Sequence, residues 1–250
     1  MSVRKKETKP ASVAPKATDK SQSYFNLQNI QIDLKCKNES QKNLVKLISD
    51  NSVVVCAGPA GTGKTYLVCA QALKLLKTEK YKKIYLVKSV TELEDQGIGF
   101  LKGSLEDKLY PHTLSFLDNF HKIIGEDNTK RMVDMGIIEV LPLAFIRGRS
   151  IDDSIIIVDE VQNLVKKNII TTLTRIGNNS KMIFCGDNDQ VDLPKGRISG
   201  LPWFLKIAEN LGDFGVINFT ENEIVRNPLI KLFLDKVKEF DASEEDKNKK

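Results

Sequence analysis

Short apolar runs recur along this chain, separated by stretches in which apolar side chains return every three or four positions. Val53–Ala57, Lys83–Lys88, Ile137–Leu141, Ile155–Asp159, Met182–Gly186 and Val216–Phe219 each read as a strand with little in-and-out alternation. Glu39–Ser49 gathers Leu44, Val45, Leu47 and Ile48 on one side and reads as a helix. Further helices fit Lys64 to about Lys77, about Val165–Ile176 and Leu229–Phe240, and the long segment up to Gly125 is partly helical. Apolar strands alternating with amphipathic helices predict an α/β fold, a mostly parallel sheet with helices on both faces. No internal repeat is visible. No apolar run approaches the ~20 residues of a membrane span, and the basic start lacks the apolar stretch of a secretory signal.

Residues 1–22 mix Lys, Ser, Thr, Pro and Ala with almost no large apolar side chain, and 241–250 are charged; both are expected to be disordered. One domain is expected over 23–240. The chain has 250 residues, 41% hydrophobic, with a net charge of +5 from 38 basic and 33 acidic side chains. The first 22 residues hold six bases and two acids, so the rest carries 32 and 31 and is close to neutral. Any grip on phosphates must therefore come from a local patch or from the tail. Cys56, Cys69 and Cys185 lie in apolar segments and are expected to be small buried hydrophobes. With no Cys-x-x-Cys pair, and His112 and His121 nine positions apart, a zinc site is not expected. Reduced thiols point to the cytoplasm, of a bacterial cell or a phage-infected host.

The strongest chemical signal is Gly58-Pro59-Ala60-Gly61-Thr62-Gly63-Lys64-Thr65. It matches the phosphate-binding pattern G-x-x-x-x-G-K-[ST] between an expected strand and an expected helix. Its glycines let successive N–H groups point at an anion, and the helix start adds partial positive charge. Lys64 can reach the β- and γ-phosphates and the Thr65 hydroxyl can ligate Mg²⁺, so the whole loop with the following Tyr66 is a candidate ATP site. Ile155–Val158 ends in Asp159 and Glu160, acids delivered to the sheet edge where parallel α/β proteins bind ligands. Asp159 would hold Mg²⁺ and Glu160 would deprotonate water, although an acidic helix cap reads similarly. Gln190, after another apolar strand, is a candidate γ-phosphate sensor or simply part of a polar turn. Gln41 can pair with adenine through both sides of its amide, or be a solvated helix residue. Arg147, Arg149 and Arg226 are candidate transition-state arginines, with ordinary surface roles equally open; Arg175, late in a helix, suits the helix C-terminus.

Taken together, Gly58–Thr65, Gly99-Phe100-Leu101-x-Gly103, the run from Ile138 to Arg149, Asp159-Glu160-x-Gln162-Asn163 and Gly186-Asp187-x-x-Gln190-Val191-Asp192-Leu193-Pro194 resemble the PhoH-like ATPases over about residues 35–235. That family is similar to the first RecA-like lobe of superfamily-one helicases. The resemblance implies a RecA-like P-loop NTPase that uses ATP and Mg²⁺ in RNA-linked or single-stranded DNA work. It matches Gln41 to the adenine reader, Asp159 and Glu160 to the metal and water residues, Gln190 to the γ-phosphate sensor and Arg226 to a phosphate-contacting arginine. Lys88-Ser89 stands where the family usually has Arg-Pro, and Val161 replaces a common Ala. The expectation is a compact form without an appended nuclease domain or a sizeable N-terminal module.

This length has room for one lobe, which leaves one side of the γ-phosphate open. A neighbouring subunit that closes the cleft and donates Arg147, Arg149 or Arg175 would make a head-to-tail ring, a hexamer by analogy with RecA-like rings. The favoured function is an ATPase coupled to RNA or single-stranded DNA. The alternatives are a non-translocating ATP-binding switch acting on a protein partner and, further off, a P-loop kinase.

Overall fold

The computed structural model describes residues 25–88 and 105–225, and residues 232, 233, 236, 237 and 240 of a C-terminal helical segment. The expected tails, Ser89, the Gly99–Gly103 run, Arg226 and most of the expected helix at 229–240 lie outside the described residues.

Six strands form one sheet in the order β3-β2-β4-β5-β1-β6, and every neighbouring pair is parallel. They are β1 (Val53–Ala57), β2 (Lys83–Lys88), β3 (Ile138–Pro142), β4 (Ser154–Asp159), β5 (Lys181–Gly186) and β6 (Phe214–Asn218). The helices are α1 (Glu39–Asp50), α2 (Lys64–Leu76), α3 (Leu105–Ile124), α4 (Glu126–Asp134), α5 (Leu143–Ile146), α6 (Lys166–Leu173) and α7 (Leu201–Ala208).

Successive strand residues point to opposite faces, so each strand feeds two cores. Val54 and Cys56 of β1, Ile84 and Leu86 of β2, and Ile155 and Ile157 of β4 pack under α1–α4, against Leu44, Leu67, Phe116, Phe120 and Met132. Val53, Val55 and Ala57, Tyr85 and Val87, and Ile156 and Val158 pack under α5–α7, against Ile146, Ile169, Leu201 and Phe204. Both faces are covered, which is why β1 and β5 are buried at every position and their sequences lack alternation. The edge strand β6 does alternate. Phe184 of β5 meets Phe204 of α7 edge-to-face at 4.9 Å, fixing the second layer.

Cys56 and Cys185 are register partners on adjacent strands, with their sulfurs 3.3 Å apart; they and Cys69 are buried and free. The Cys56 contact and burial push the Cys185 thiol up, and burial does the same to Cys69, so both stay neutral packing groups. Among the described residues, no helix is long and apolar enough to cross a membrane.

Candidate functional site

A cavity of about 1000 Å³ opens where β1, β4 and β5 end. It is lined from the loop before α2 by Ala60, Gly61, Gly63, Lys64, Thr65 and Tyr66. Asp159, Glu160 and Gln162 face it from the end of β4, and Gly186, Asp187 and Gln190 from the end of β5. Parallel pairing explains the meeting: β1 and β4 both flank β5, so segments almost a hundred residues apart in sequence deliver their ends to one edge.

The loop is shaped by two glycines that no other residue replaces without strain. Gly58 has φ +137°, and a Cβ there would lie 2.6 Å from the Phe219 carbonyl oxygen. Gly63 caps α2 in the left-handed region at φ +85°, turning the chain so that α2 aims its N-terminus at the cavity. The first N–H groups of a helix lack intrahelical acceptors, and α2 carries no side-chain cap. Lys64 is buried and donates to the carbonyls of Gly58 at 2.5 Å and Pro59 at 2.8 Å. Its ammonium is held by its own loop, within reach of the same space. Gly58, Pro59 and Thr62 shape the loop from behind; Thr62 is fully buried and its hydroxyl donates to Pro59 O at 3.0 Å.

The acid side is built differently. Asp159 is partly buried at the last position of β4, beside its register partner Lys88. Burial, then the neighbouring Glu160 carboxylate, pushes the Asp159 pKa up to about 6, opposed by a backbone hydrogen bond, Lys88 and Lys64. Glu160 has φ +55°, left-handed backbone that a side chain adopts at a cost, and this turn swings its carboxylate into the cavity. Gln162, 1% exposed, joins the pieces. Its amide nitrogen donates to Glu160 Oε2 at 2.6 Å and to the Gln190 carbonyl at 3.1 Å, and its oxygen accepts from Asp187 N at 2.9 Å. Asn163 adds a second tie, accepting from Asp192 N at 2.8 Å.

Gln41 lies on the far side of the loop. Its oxygen accepts from Lys37 N at 2.6 Å and its nitrogen donates to Thr62 O at 2.8 Å, which leaves one N–H and one lone pair of the amide. It therefore staples the loop to the segment before α1. That segment, with Asp33, Lys35 and Lys37, forms the cavity's outer wall with Tyr66, Asn119 and Lys122.

Most of the expected residues thus converge: Gln41, Ala60, Gly61, Gly63, Lys64, Thr65, Tyr66, Asp159, Glu160 and Gln190 face one space, while Gly58, Pro59 and Thr62 do not line it. Arg147, Arg149 and Arg175 do not line it. Arg175 donates from Nε to Thr171 O at 3.2 Å, engaged with the end of its own helix. Arg226 lies outside the described residues; Val225, just before it in sequence, lines the cavity and donates its N–H to Gly61 O at 3.0 Å. The junction role of Gln162 and the wall residues Lys35, Asn119 and Lys122 had no signal in spacing.

The residues fit a magnesium–nucleotide. The glycine loop leaves space beside a buried ammonium, and Thr65 and Asp159 offer two hard oxygen ligands across the cavity. Among the described residues no cluster of three metal-type ligands occurs. Mg²⁺ with a nucleotide needs fewer, because phosphate and water oxygens complete its shell.

The family model described as PhoH-like protein matches residues 33–238. A PhoH-like protein of Bacillus subtilis (strain 168) is 39% identical over 197 residues, covering 79% of this chain and 61% of that protein. The PhoH-like protein of Mycobacterium tuberculosis (strain ATCC 25618 / H37Rv) is 36% identical over 199 residues, 80% of this chain and 56% of that protein. Protein PhoH of Escherichia coli (strain K12) is 31% identical over 195 residues, 77% and 55% respectively. The chain thus spans little more than half of the length of these relatives. Among solved structures, the large terminase of a thermophilic bacteriophage aligns with a TM-score of 0.46 at 11% identity, covering 77% of this chain and 48% of that one.

Proposed function

This chain belongs to the PhoH-like protein family, and on that premise we propose that it is a Mg²⁺-dependent ATPase coupled to RNA or single-stranded DNA. One observation carries the reading: the lysine-bearing loop and the acid pair face each other across a single cavity large enough for a nucleoside triphosphate.

Lys64 exchanges its bonds to Gly58 O and Pro59 O for β- and γ-phosphate oxygens, as the N–H groups of the loop and of the start of α2 close around the phosphates. Thr65 and Asp159 would hold Mg²⁺, which when bound would supply positive charge beside the phosphates. Glu160, oriented by Gln162, accepts the proton of the attacking water. Gln190 contacts the γ-phosphate or that water through its amide. Gln41 offers its remaining N–H and lone pair to adenine. Tyr66 completes the nucleotide wall.

The cations of the described lining are Lys35, Lys37, Lys64 and Lys122, so an arginine for the transition state comes from Arg226 or from a neighbouring subunit. A neighbour donating Arg147 or Arg149 would close a head-to-tail ring, a hexamer in this reading. Arg175, tied to its own helix, is the weaker donor.

Phosphate release with and without oligonucleotide tests the reading. Expected is Mg²⁺-dependent turnover, lost in Lys64→Ala and raised several-fold by single strands. Slow turnover indifferent to nucleic acid marks a switch instead. Mixing Glu160→Gln subunits with Arg147→Ala/Arg149→Ala subunits should restore activity if the arginine is donated across subunits. No recovery, with monomers by light scattering, would reject the shared site.

A further inference from the structure

Beyond the nucleotide cavity, toward β3, the same edge of the sheet carries a different chemistry. After β3 the chain exposes Phe145 and Arg147; after β4 it exposes Lys166 and Lys167; after β5 it exposes Lys195, Arg197 and Ile198. Residues 143–148, 164–168 and 189–203 together hold five bases and two acids, whereas the rest of residues 23–250 holds 27 bases and 29 acids.

These segments are in contact. Arg147 Nη2 lies 3.4 Å from Asn168 Oδ1, and Lys166 Nζ stands 5.5 Å from the centre of the Trp203 ring. Gly200 N donates to Leu164 O at 2.7 Å, and a Cβ on Gly200 would come within 2.8 Å of Lys166 N. The loop after β5 therefore ends flush against the start of α6, which brings the exposed Arg147, Lys166 and Lys167 and the loop that carries Lys195 and Arg197 to one region of the sheet edge. Phe145, 43% exposed, is an aromatic ring presented within it.

We propose that this surface is a track for a single-stranded nucleic acid, with phosphates against Arg147, Lys166, Lys167, Lys195 and Arg197 and bases stacking on Phe145. It deepens the reading above by giving the nucleic acid a place. A single strand fits better than a duplex because only unpaired bases present their faces to an aromatic ring. The track also has a mechanical link to the nucleotide. The loop bearing Lys195 and Arg197 begins at Asp187–Gln190 in the cavity and is pinned at Gln190 and Asp192 to Gln162 and Asn163. The Gln162 amide that holds Gln190 also holds Glu160. A strand seated on Lys195 and Arg197 thus bears on the position of Glu160.

The test is fluorescence anisotropy of the full chain, without nucleotide, using labelled oligouridylate, oligothymidylate and a duplex of the same length. Lys166→Glu/Lys167→Glu/Lys195→Glu/Arg197→Glu is compared with a charge-matched control, Lys46→Glu/Lys74→Glu/Lys130→Glu/Lys206→Glu, each checked for folding by circular dichroism. The track variant should weaken single-strand binding by about 100-fold or more and lower the salt slope by roughly 3, while the control shifts by about threefold or less. Phe145→Ala should weaken it by about tenfold. Tighter oligouridylate than oligothymidylate identifies RNA through its 2′-hydroxyls. Equal loss in both quadruple variants, preference for the duplex, or no single-strand binding by the wild type would overturn the track. So would unchanged binding with an altered oligomeric state in the track variant, which makes the surface a protein interface. Because no nucleotide is present, a failure of the ATPase reading leaves this result standing.

Discussion

Two lysines are buried among the described residues, at opposite ends of the sheet's strands. Lys64, 8% exposed, donates to Gly58 O and Pro59 O; Lys181, 4% exposed, donates to the carbonyls of Asn51 and Ser49. Both solve the problem of a buried ammonium in the same way, with backbone oxygens. The difference is what lies beside them. Lys181 starts β5 and ties it to the end of α1, a fixed junction. Lys64 stands between a glycine loop and a cavity, so its carbonyls are partners it can leave for stronger anionic ones. Burial alone does not distinguish a structural pin from the phosphate-contacting cation proposed above; the adjoining space does.

The largest expected effect breaks the comparison at Lys64. Lys64→Ala should lower turnover by about 10²–10³-fold or more, the scale of removing one electrostatic contact to the transition state. Glu160→Gln should fall within about 10²–10⁴-fold while still binding nucleotide, because it removes only the proton acceptor. Steady-state phosphate release together with fluorescent-nucleotide titration separates the two. Equal activity of Lys64→Ala and wild type would reduce Lys64 to a second Lys181.

Lys181 makes its own prediction, in pH. Burial, reinforced by Lys80 and opposed by Asp50, lowers its pKa from 10.5 to about 8. The folded chain releases this proton near pH 8 while the unfolded chain keeps it until about 10.5, so between those values the unfolded state binds more protons and stability rises with pH. The rise totals at most about 3 kcal/mol, because water screens part of the ammonium charge. Lys181→Met removes it, and denaturant melts of both proteins across that range should diverge in slope. Parallel pH profiles would show that Lys181 reaches solvent.

Asp159 is the acidic counterpart, on the edge that holds the cavity. Its folded pKa is raised to about 6, so its ionised form burdens the fold above that pH and the burden fades as pH falls toward 3.8. At neutral pH Asp159→Asn should stabilise the protein by up to about 3 kcal/mol while abolishing Mg²⁺-dependent turnover. Thermal melts without nucleotide read the gain. A loss of stability in Asp159→Asn would mean that the Lys88 and Lys64 charges outweigh burial.

Much of this was legible in residue order. The strand readings fall within about two residues of the observed ends, because strands covered on both faces must be apolar throughout. The glycine-rich loop and the acids were legible because each follows such a run. Three helices were not, among them α5, Leu143–Ile146, a single turn too short to show a period. In α4, Glu126–Asp134, the buried residues are Thr129 and Met132, too few to show a period. In α7, Leu201–Ala208, the sequence is apolar almost throughout and shows none either. The early start of β6 at Phe214 was hidden by Gly215, which lies under Leu47. At the site, the role of Gln162 emerges only because the loop after β5 folds back onto the end of β4, a meeting that no local pattern encodes.

The backbone of Glu160 is the least legible feature, since glutamate carries no signal for φ +55°. Left-handed backbone costs a side-chain-bearing residue roughly 1–2 kcal/mol, whereas glycine adopts it freely. At ordinary positions the order is opposite, alanine being more stable than glycine by about 0.5–1 kcal/mol. If the turn after β4 is strained, the order reverses here, and Glu160→Gly should exceed Glu160→Ala in stability by about 0.5 kcal/mol. The comparison cancels the loss of the carboxylate, which both variants share, and isolates the backbone. Alanine above glycine in paired denaturant melts would show that the turn relaxes once its side chain is gone. In that case the Gln162 hydrogen bond, rather than the packing of the turn, is what holds Glu160 in the cavity.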